Sequence, residues 1–118
     1  MCGIVGYVGE KSVSDILTGG LSALEYRGYD SSGVAVIANE QTKIYKAEGK
    51  LQNLKDLLKE KQDEINTAKV GIGHIRWATH GIPNEINAHP HTSNDGKLAV
   101  VHNGIIENFK ELREKLEK

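Results

Sequence analysis

The hydrophobic positions of this 118-residue chain follow the two-residue period of strands in some segments and the helical period in others. Residues 2–8 predict a first strand, and the alternating residues 43–47 predict a strand that pairs with 34–38 across a polar turn. The runs 34–38 and 98–101 are short and rich in β-branched side chains, which is typical of buried strands. A further strand starts at Val70 and leads into a polar loop.

Apolar residues spaced three or four apart predict three helices. Ser12 and Asp15 form a capping-box pattern before the first, and Asn108 begins the last. Gly19 and Gly20 interrupt the first helix and indicate close packing against another backbone. The inward-facing positions are Val13, Ile16, Leu17, Leu21 and Leu24 in the first helix, Leu51, Leu54, Leu57 and Leu58 in the second, and Phe109, Leu112 and Leu116 in the third. Residues 59–69 are charged and are expected to be irregular.

Composition excludes several classes of function. Fifteen Lys and Arg against sixteen Asp and Glu leave a net charge of −1, which gives no electrostatic case for nucleic acid or an anionic membrane. One cysteine excludes an internal disulfide framework and suits a reducing compartment. No apolar stretch approaches the roughly 20 residues of a membrane span, and without a basic segment followed by an apolar one we expect no signal peptide. We therefore expect a cytoplasmic protein.

The single cysteine, Cys2, becomes the first residue once Met1 is removed. It would then carry a thiol with an ordinary pKa of about 8.5 beside an α-amine of about 7.7–8.0. Because the amine is partly neutral near pH 7, one residue supplies both a nucleophile and a base. The alternative interpretation is that Cys2 is a small buried hydrophobe in the first strand.

One group of polar residues follows the strand that starts at Val70. It consists of Arg76, Trp77, Thr79 and His80. The planar guanidinium of Arg76 suits a carboxylate ligand, although a structural pair with a nearby acid explains it equally well. Trp77 could equally be a core residue and Thr79 a turn cap.

A second polar group, Asn103 followed by Gly104, comes after the run 98–101. A side-chain amide next to a residue that can present its backbone N–H matches an oxyanion hole. The same dipeptide is also the commonest tight turn, so both interpretations stay open.

The histidines and glycines do not predict a metal or a cofactor. His74, His80, His89, His91 and His102 include no helical i,i+4 pair, and only one cysteine is available; a carboxylate ligand from Glu85 is left open. The glycine pattern of residues 3–6 neither follows a strand nor opens a helix, so it is not a dinucleotide fingerprint.

Four segments, in this order, resemble class II glutamine amidotransferases: Cys-Gly-Ile-Val-Gly at 2–6, Arg-Gly-Tyr-Asp-Ser-Ser-Gly at 27–33, Arg-Trp-Ala-Thr-His-Gly at 76–81 and His-Asn-Gly at 102–104. Residues 24–30 and 87–91 resemble the glutamine–fructose-6-phosphate aminotransferases (isomerizing) in particular. The resemblance implies an α+β fold, part of the four-layer αββα sandwich of the N-terminal-nucleophile hydrolases.

The resemblance also implies a reaction without a cofactor. Cys2 would attack the side-chain amide of glutamine, and its α-amine would transfer the proton to the leaving ammonia. Asn103 and Gly104 would stabilise the oxyanion. The other implied site residues are Arg76 for the substrate α-carboxylate, Trp77 for ammonia passage, Thr79 and His80 for pocket shape, and Arg27 and His89 as supports.

The last helix has no stop signal before Lys118, so we expect a chain truncated at its C-terminus. Residues 1–118 would then be the N-terminal portion of a glutaminase domain. The ammonia would pass to a fructose-6-phosphate-binding isomerase domain absent from this chain, and a homo-oligomer is compatible with the resemblance. The alternatives are a catalytically incomplete fragment or interaction module of the same fold, and the glutaminase domain of another class II amidotransferase.

Overall fold

A computed structural model describes residues 3–25, 30–76, 87–103 and 107–117. The elements confirm an α+β chain. In order they are β1 (Gly3–Val8), α1 (Val13–Leu24), β2 (Ser31–Ala38), β3 (Gln41–Glu48), α2 (Leu51–Glu60), α3 (Gln62–Ile65), β4 (Val70–Arg76), β5 (His91–Thr92), β6 (Ala99–Val100) and α4 (Phe109–Glu117). Within these ranges no helix is long and apolar enough to cross a membrane.

Four of the strands form one antiparallel sheet in the order β1-β4-β2-β3. The expected hairpin is confirmed as β2 and β3, joined by a turn at Asn39 and Glu40. The central strand β4 pairs on both sides, and Gly33 of β2 lies opposite His74. The strands that carry the predicted site are therefore held in one register.

One face of the sheet is covered by α1 and α2. Glycines in β4 let α1 lie close, since a Cβ added at Gly71 would come within 2.8 Å of the Leu17 side chain. In α1, a Cβ at Gly20 would lie 2.9 Å from the side chain of Val5, so the close contact there is with a side chain and not with a backbone as expected. The buried apolar cluster on this face includes Leu17, Leu21, Val34, Val36, Leu51, Leu54 and Ile75.

The segment expected to be irregular contains the short helix α3. Ile65 at its end is buried, and Glu64 accepts a hydrogen bond of 2.9 Å from the hydroxyl of Tyr45 in β3. A contact with a distant strand stabilises this turn, and the local charge pattern does not reveal such a contact. The prediction for 59–69 was wrong in this part.

Three further expectations were wrong. Helix α1 starts after Ser12, but the Ser12 side chain makes no capping hydrogen bond. The buried strand expected at 98–101 is the two-residue β6, and Leu98 is 72% exposed. Helix α4 buries none of its residues; Leu116 is 86% exposed. Apolar periodicity indicates a face that another element could cover. No part of the described chain covers the apolar side chains of Leu98 and α4.

The opposite face of the sheet is partly covered by residues 87–103. The Nζ of Lys46 in β3 donates to the carbonyl of Ala88 at 2.8 Å, and Thr42 donates to the carbonyl of Lys97 at 3.1 Å. A Cβ at Gly33 would collide with the carbonyl oxygen of His89. This segment therefore lies directly on the strands, and we refer to this side of the sheet as the second face.

Candidate functional site

Strand β4 places two of its polar side chains on the second face. Successive side chains of a strand point to opposite faces, and Gly73 and Ile75 point toward the helices. His74 and Arg76 therefore point away from α1, and both are buried. The strand period alone thus separates the polar residues of β4 from its core residues.

Asn103 lies on this face in contact with His74. The Nε2 of the His74 ring and the Oδ1 of Asn103 are 2.6 Å apart, and the ring donates because a carbonyl oxygen only accepts. His74 is fully buried, whereas Asn103 is exposed. The predicted oxyanion donor thus has a rigid neighbour on one side and open access on the other.

Arg76 lies near an acid, as its structural interpretation required. One guanidinium nitrogen is 3.9 Å from Oδ1 of Asp30, a charge contact longer than a hydrogen bond. The Asp30 backbone N–H also donates to the carbonyl of Arg76 at 2.8 Å, and its Oδ1 accepts from the Ser31 hydroxyl at 3.0 Å. Binding of a substrate carboxylate by Arg76 stays a prediction, since the contact with Asp30 neither provides nor prevents it.

His89, the expected supporting residue, lies between two other imidazoles that are tilted against its ring. Its ring centroid is 4.4 Å from that of His74 and 4.3 Å from that of His91. His89 therefore contacts the His74 ring, which donates to Asn103, and the expected support could act through this contact. Among the described residues, no group of three or more His, Cys, Asp or Glu side chains is placed to hold a metal ion.

Burial keeps these imidazoles uncharged. Burial, followed by the electrostatic effect of protonating this ring beside His74, His91 and Arg76, lowers the pKa of His89 to about 4. Burial also lowers the pKa of His74, and the charge of Arg76 acts in the same direction while the hydrogen bond with Asn103 opposes it. Both rings are therefore neutral near pH 7, with one N–H each.

The remaining predicted site residues lie outside the described residues. They are Cys2, Arg27, Trp77, Thr79, His80 and Gly104. Strand β1 begins at Gly3, directly after Cys2 in the sequence, and Gly3 pairs with Ile75 between His74 and Arg76. Gly3, the residue after Cys2, therefore lies beside the polar end of β4.

Two residues of the site were missed by sequence reasoning. His74 was considered only as a possible metal ligand, and Gly33 only as the last residue of the segment 27–33 that carries the resemblance. A usable signal for His74 was its spacing of two from Arg76, because residues two apart in a strand share a face. No local signal indicates that Gly33 would lie under the His89 backbone, because 56 residues separate them.

Comparisons with known proteins point to one family. A family model described as a glutamine amidotransferase domain matches residues 32–118. Relatives named glutamine–fructose-6-phosphate aminotransferase [isomerizing] include one from Clostridium perfringens, 58% identical over 96% of this chain, and one from Streptomyces coelicolor, 58% identical over 98%. The chain spans only 18% of the length of each.

A solved structure has the same fold. It is the glutamine phosphoribosylpyrophosphate (PRPP) amidotransferase from B. subtilis, complexed with ADP and GMP. The two agree with a TM-score of 0.76 and 27% sequence identity, over 99% of this chain and 25% of that one. The fold of this chain is thus shared with part of an amidotransferase.

Proposed function

This chain belongs to the glutamine amidotransferase domain family, and on that premise we propose that it carries the glutamine-hydrolysing site of a glutamine–fructose-6-phosphate aminotransferase. Residues 1–118 are then the N-terminal portion of the glutaminase domain. The observation that carries the proposal is the placement of Gly3 beside the polar end of β4, where His74 contacts Asn103. Because Gly3 directly follows Cys2 in the sequence, this placement supports Cys2 as the nucleophile of the site.

The proposed reaction proceeds through a thioester. The α-amine of Cys2 accepts the thiol proton, and the resulting thiolate attacks the side-chain amide carbon of glutamine. The carbonyl oxygen becomes an oxyanion, which the Asn103 amide and the Gly104 N–H stabilise. The α-amine then delivers the proton to the departing nitrogen, so that ammonia leaves. Water hydrolyses the glutamyl thioester, which releases glutamate and restores the thiol.

Arg76 binds the α-carboxylate of glutamine in this proposal. Its position at the end of β4 next to Gly3's partner Ile75 supports this role, and a guanidinium can form two parallel hydrogen bonds to a carboxylate. Thr79 and His80 shape the pocket, and Trp77 controls passage of ammonia. Arg27 and His89 act as supports, and the contact of His89 with His74 agrees with this for one of them.

The fate of the ammonia follows from the names of the relatives. We propose that it reaches a domain outside these 118 residues that binds fructose 6-phosphate, and that the product is glucosamine 6-phosphate. The reaction needs no cofactor, since nucleophile, base and oxyanion donors are all supplied by the protein. The single cysteine supports a cytoplasmic location, and a homo-oligomer is compatible with the proposal.

Covalent labelling of the full-length, Met-trimmed protein tests the nucleophile. A glutamine-mimicking electrophile is expected to add one label to Cys2, located by mass spectrometry, and the label should vanish in Cys2→Ala. A variant that retains a residue before Cys2 should lose ammonia release because its α-amine is blocked. Absence of any adduct on the trimmed protein would contradict the proposal.

A catalytically incomplete fragment is the competing function for the 118 residues alone. Ammonia release from glutamine by this chain, compared with the full-length protein, separates the two. Equal rates would rule out the incomplete fragment.

A further inference from the structure

The side-chain amide of Asn103 has two ends of opposite polarity. An oxyanion is stabilised by the NH2 end and repelled by the carbonyl end, so a half-turn of the amide would reverse its effect. Asn103 is exposed and follows the two-residue strand β6, so little packing restrains its side chain. The described contact that acts on the amide itself is the hydrogen bond of 2.6 Å with His74.

His74 has the rigidity to fix a partner. It lies in β4, which pairs with β1 on one side and β2 on the other, and its side chain is fully buried. The His89 ring contacts it, with 4.4 Å between centroids. A side chain held in this way keeps its ring nitrogens at fixed positions, in contrast to a water molecule or a surface side chain.

The position of the ring proton determines which end of the Asn103 amide can form a hydrogen bond with His74. Because burial lowers its pKa, the ring is neutral near pH 7 and carries one N–H. The Nδ1 atom is buried and has no hydrogen-bond partner in the described part of the chain, whereas Nε2 faces Asn103. The proton therefore resides on Nε2, and an N–H there can donate only to the carbonyl end of the amide.

We propose that His74 is the positioning residue that turns the Asn103 amide so that its NH2 group faces the substrate. The inference rests on the proposed role of Asn103 as an oxyanion donor. His74 touches neither the substrate nor the nucleophile in this account and acts through Asn103 alone. In the opposite tautomer, Nε2 would accept from the NH2 group and present the carbonyl to the oxyanion.

Three substitutions in the full-length enzyme test this role by glutaminase kinetics. His74→Leu removes the donor, His74→Gln places an amide N–H near the Nε2 position, and His74→Asn is one methylene too short to do so. Loss of an oxyanion donor lowers kcat by about 10²–10³-fold. We expect kcat to fall by about 10–100-fold in His74→Leu and His74→Asn with little change in KM, and to recover largely in His74→Gln.

The Gln and Asn variants are a matched pair of polar amides in the same buried site, so they keep the test valid if His74→Leu does not fold. Alkylation of Cys2 by iodoacetamide forms no oxyanion, and its rate should be equal in both. Equal kcat values for His74→Gln and His74→Asn would overturn the positioning role.

A double-mutant cycle with Asn103→Ala separates this inference from the proposed function. If His74 acts only through Asn103, His74→Asn should slow the reaction in the unaltered enzyme and add little on the Asn103→Ala background. Full multiplication of the two effects would show that His74 acts independently, and would overturn the inference while leaving the proposed function in place. An unaltered rate in Asn103→Ala would instead overturn the role of Asn103, and the inference with it.

Discussion

The two faces of the four-stranded sheet are built from alternate residues of the same strands, yet they differ in every physical respect. The helical face is apolar and closely packed, with Leu17 and Leu21 lying over the glycines of β4. The second face holds His74 and Arg76 under the segment 87–103. Residues of β4 that stabilise the fold therefore alternate with residues that belong to the proposed site.

The second face contributes less to the stability of the fold than the helical face does. The Nδ1 atoms of His74 and His89 are buried without hydrogen-bond partners in the described parts of the chain. A buried polar atom without a partner destabilises a fold, so the helical face has to offset this cost. Substitutions on the helical face should therefore change mainly stability, and substitutions on the second face mainly activity.

The largest effect on stability is expected on the helical face. Leu17→Ala removes a fully buried side chain from the core and should lower the free energy of unfolding by about 2–5 kcal/mol. Leu116→Ala is the control, since this leucine is 86% exposed and should change stability by less than about 0.5 kcal/mol. Denaturant unfolding measures both, and glutaminase activity per folded molecule should be unchanged. Equal losses in the two variants would contradict the assignment of the core.

A smaller effect on stability, joined to a loss of activity, is expected at Gly33. The Cβ of Gly33→Ala would meet the His89 carbonyl, a backbone atom that cannot move without shifting the 87–91 segment. We expect a destabilisation of about 1–3 kcal/mol and a reduced rate of ammonia release. Gly6→Ala on the same face is the control, because no atom lies within 4 Å of its added Cβ. Normal activity in Gly33→Ala would show that the contact between Gly33 and the His89 carbonyl does not affect the site.

The smallest change in the free energy of unfolding is expected when the pH is lowered. The pKa of His89 is about 4 in the native protein and about 6.5 when unfolded, so between these values only the unfolded chain binds the proton. Stability should therefore fall as the pH drops from 6.5 to 4, by about 1–2 kcal/mol given the partial exposure of the ring. His89→Gln should remove this part of the pH dependence in unfolding curves, whereas His102→Gln at an exposed position should keep it. A pH profile unaltered in His89→Gln would contradict the burial of His89.

The sequence predicted the features that local pattern determines. The β2–β3 hairpin, the helices α1 and α2 and strand β4 are confirmed, because periodicity and turn residues fix them within about ten residues. The family was predicted from four short segments, and the family match confirms it.

What the sequence did not predict depends on contacts between distant residues. The pairing of His74 with Asn103 joins positions 29 apart, and the crowding of Gly33 by His89 joins positions further apart still. The exposure of Leu98 and of α4 was missed for a related reason, since an apolar face is buried only where another part of the protein covers it.

Whether the second face of the sheet carries the chemistry is decided by the rate of ammonia release from Asn103→Ala at saturating glutamine. Truncation leaves the buried Nε2–H of His74 without its described partner, so a modest loss of stability is expected and the rate is measured per folded molecule. The account predicts a fall in kcat of about 10²–10³-fold with Cys2 still open to alkylation. A rate equal to that of the unaltered enzyme would contradict it.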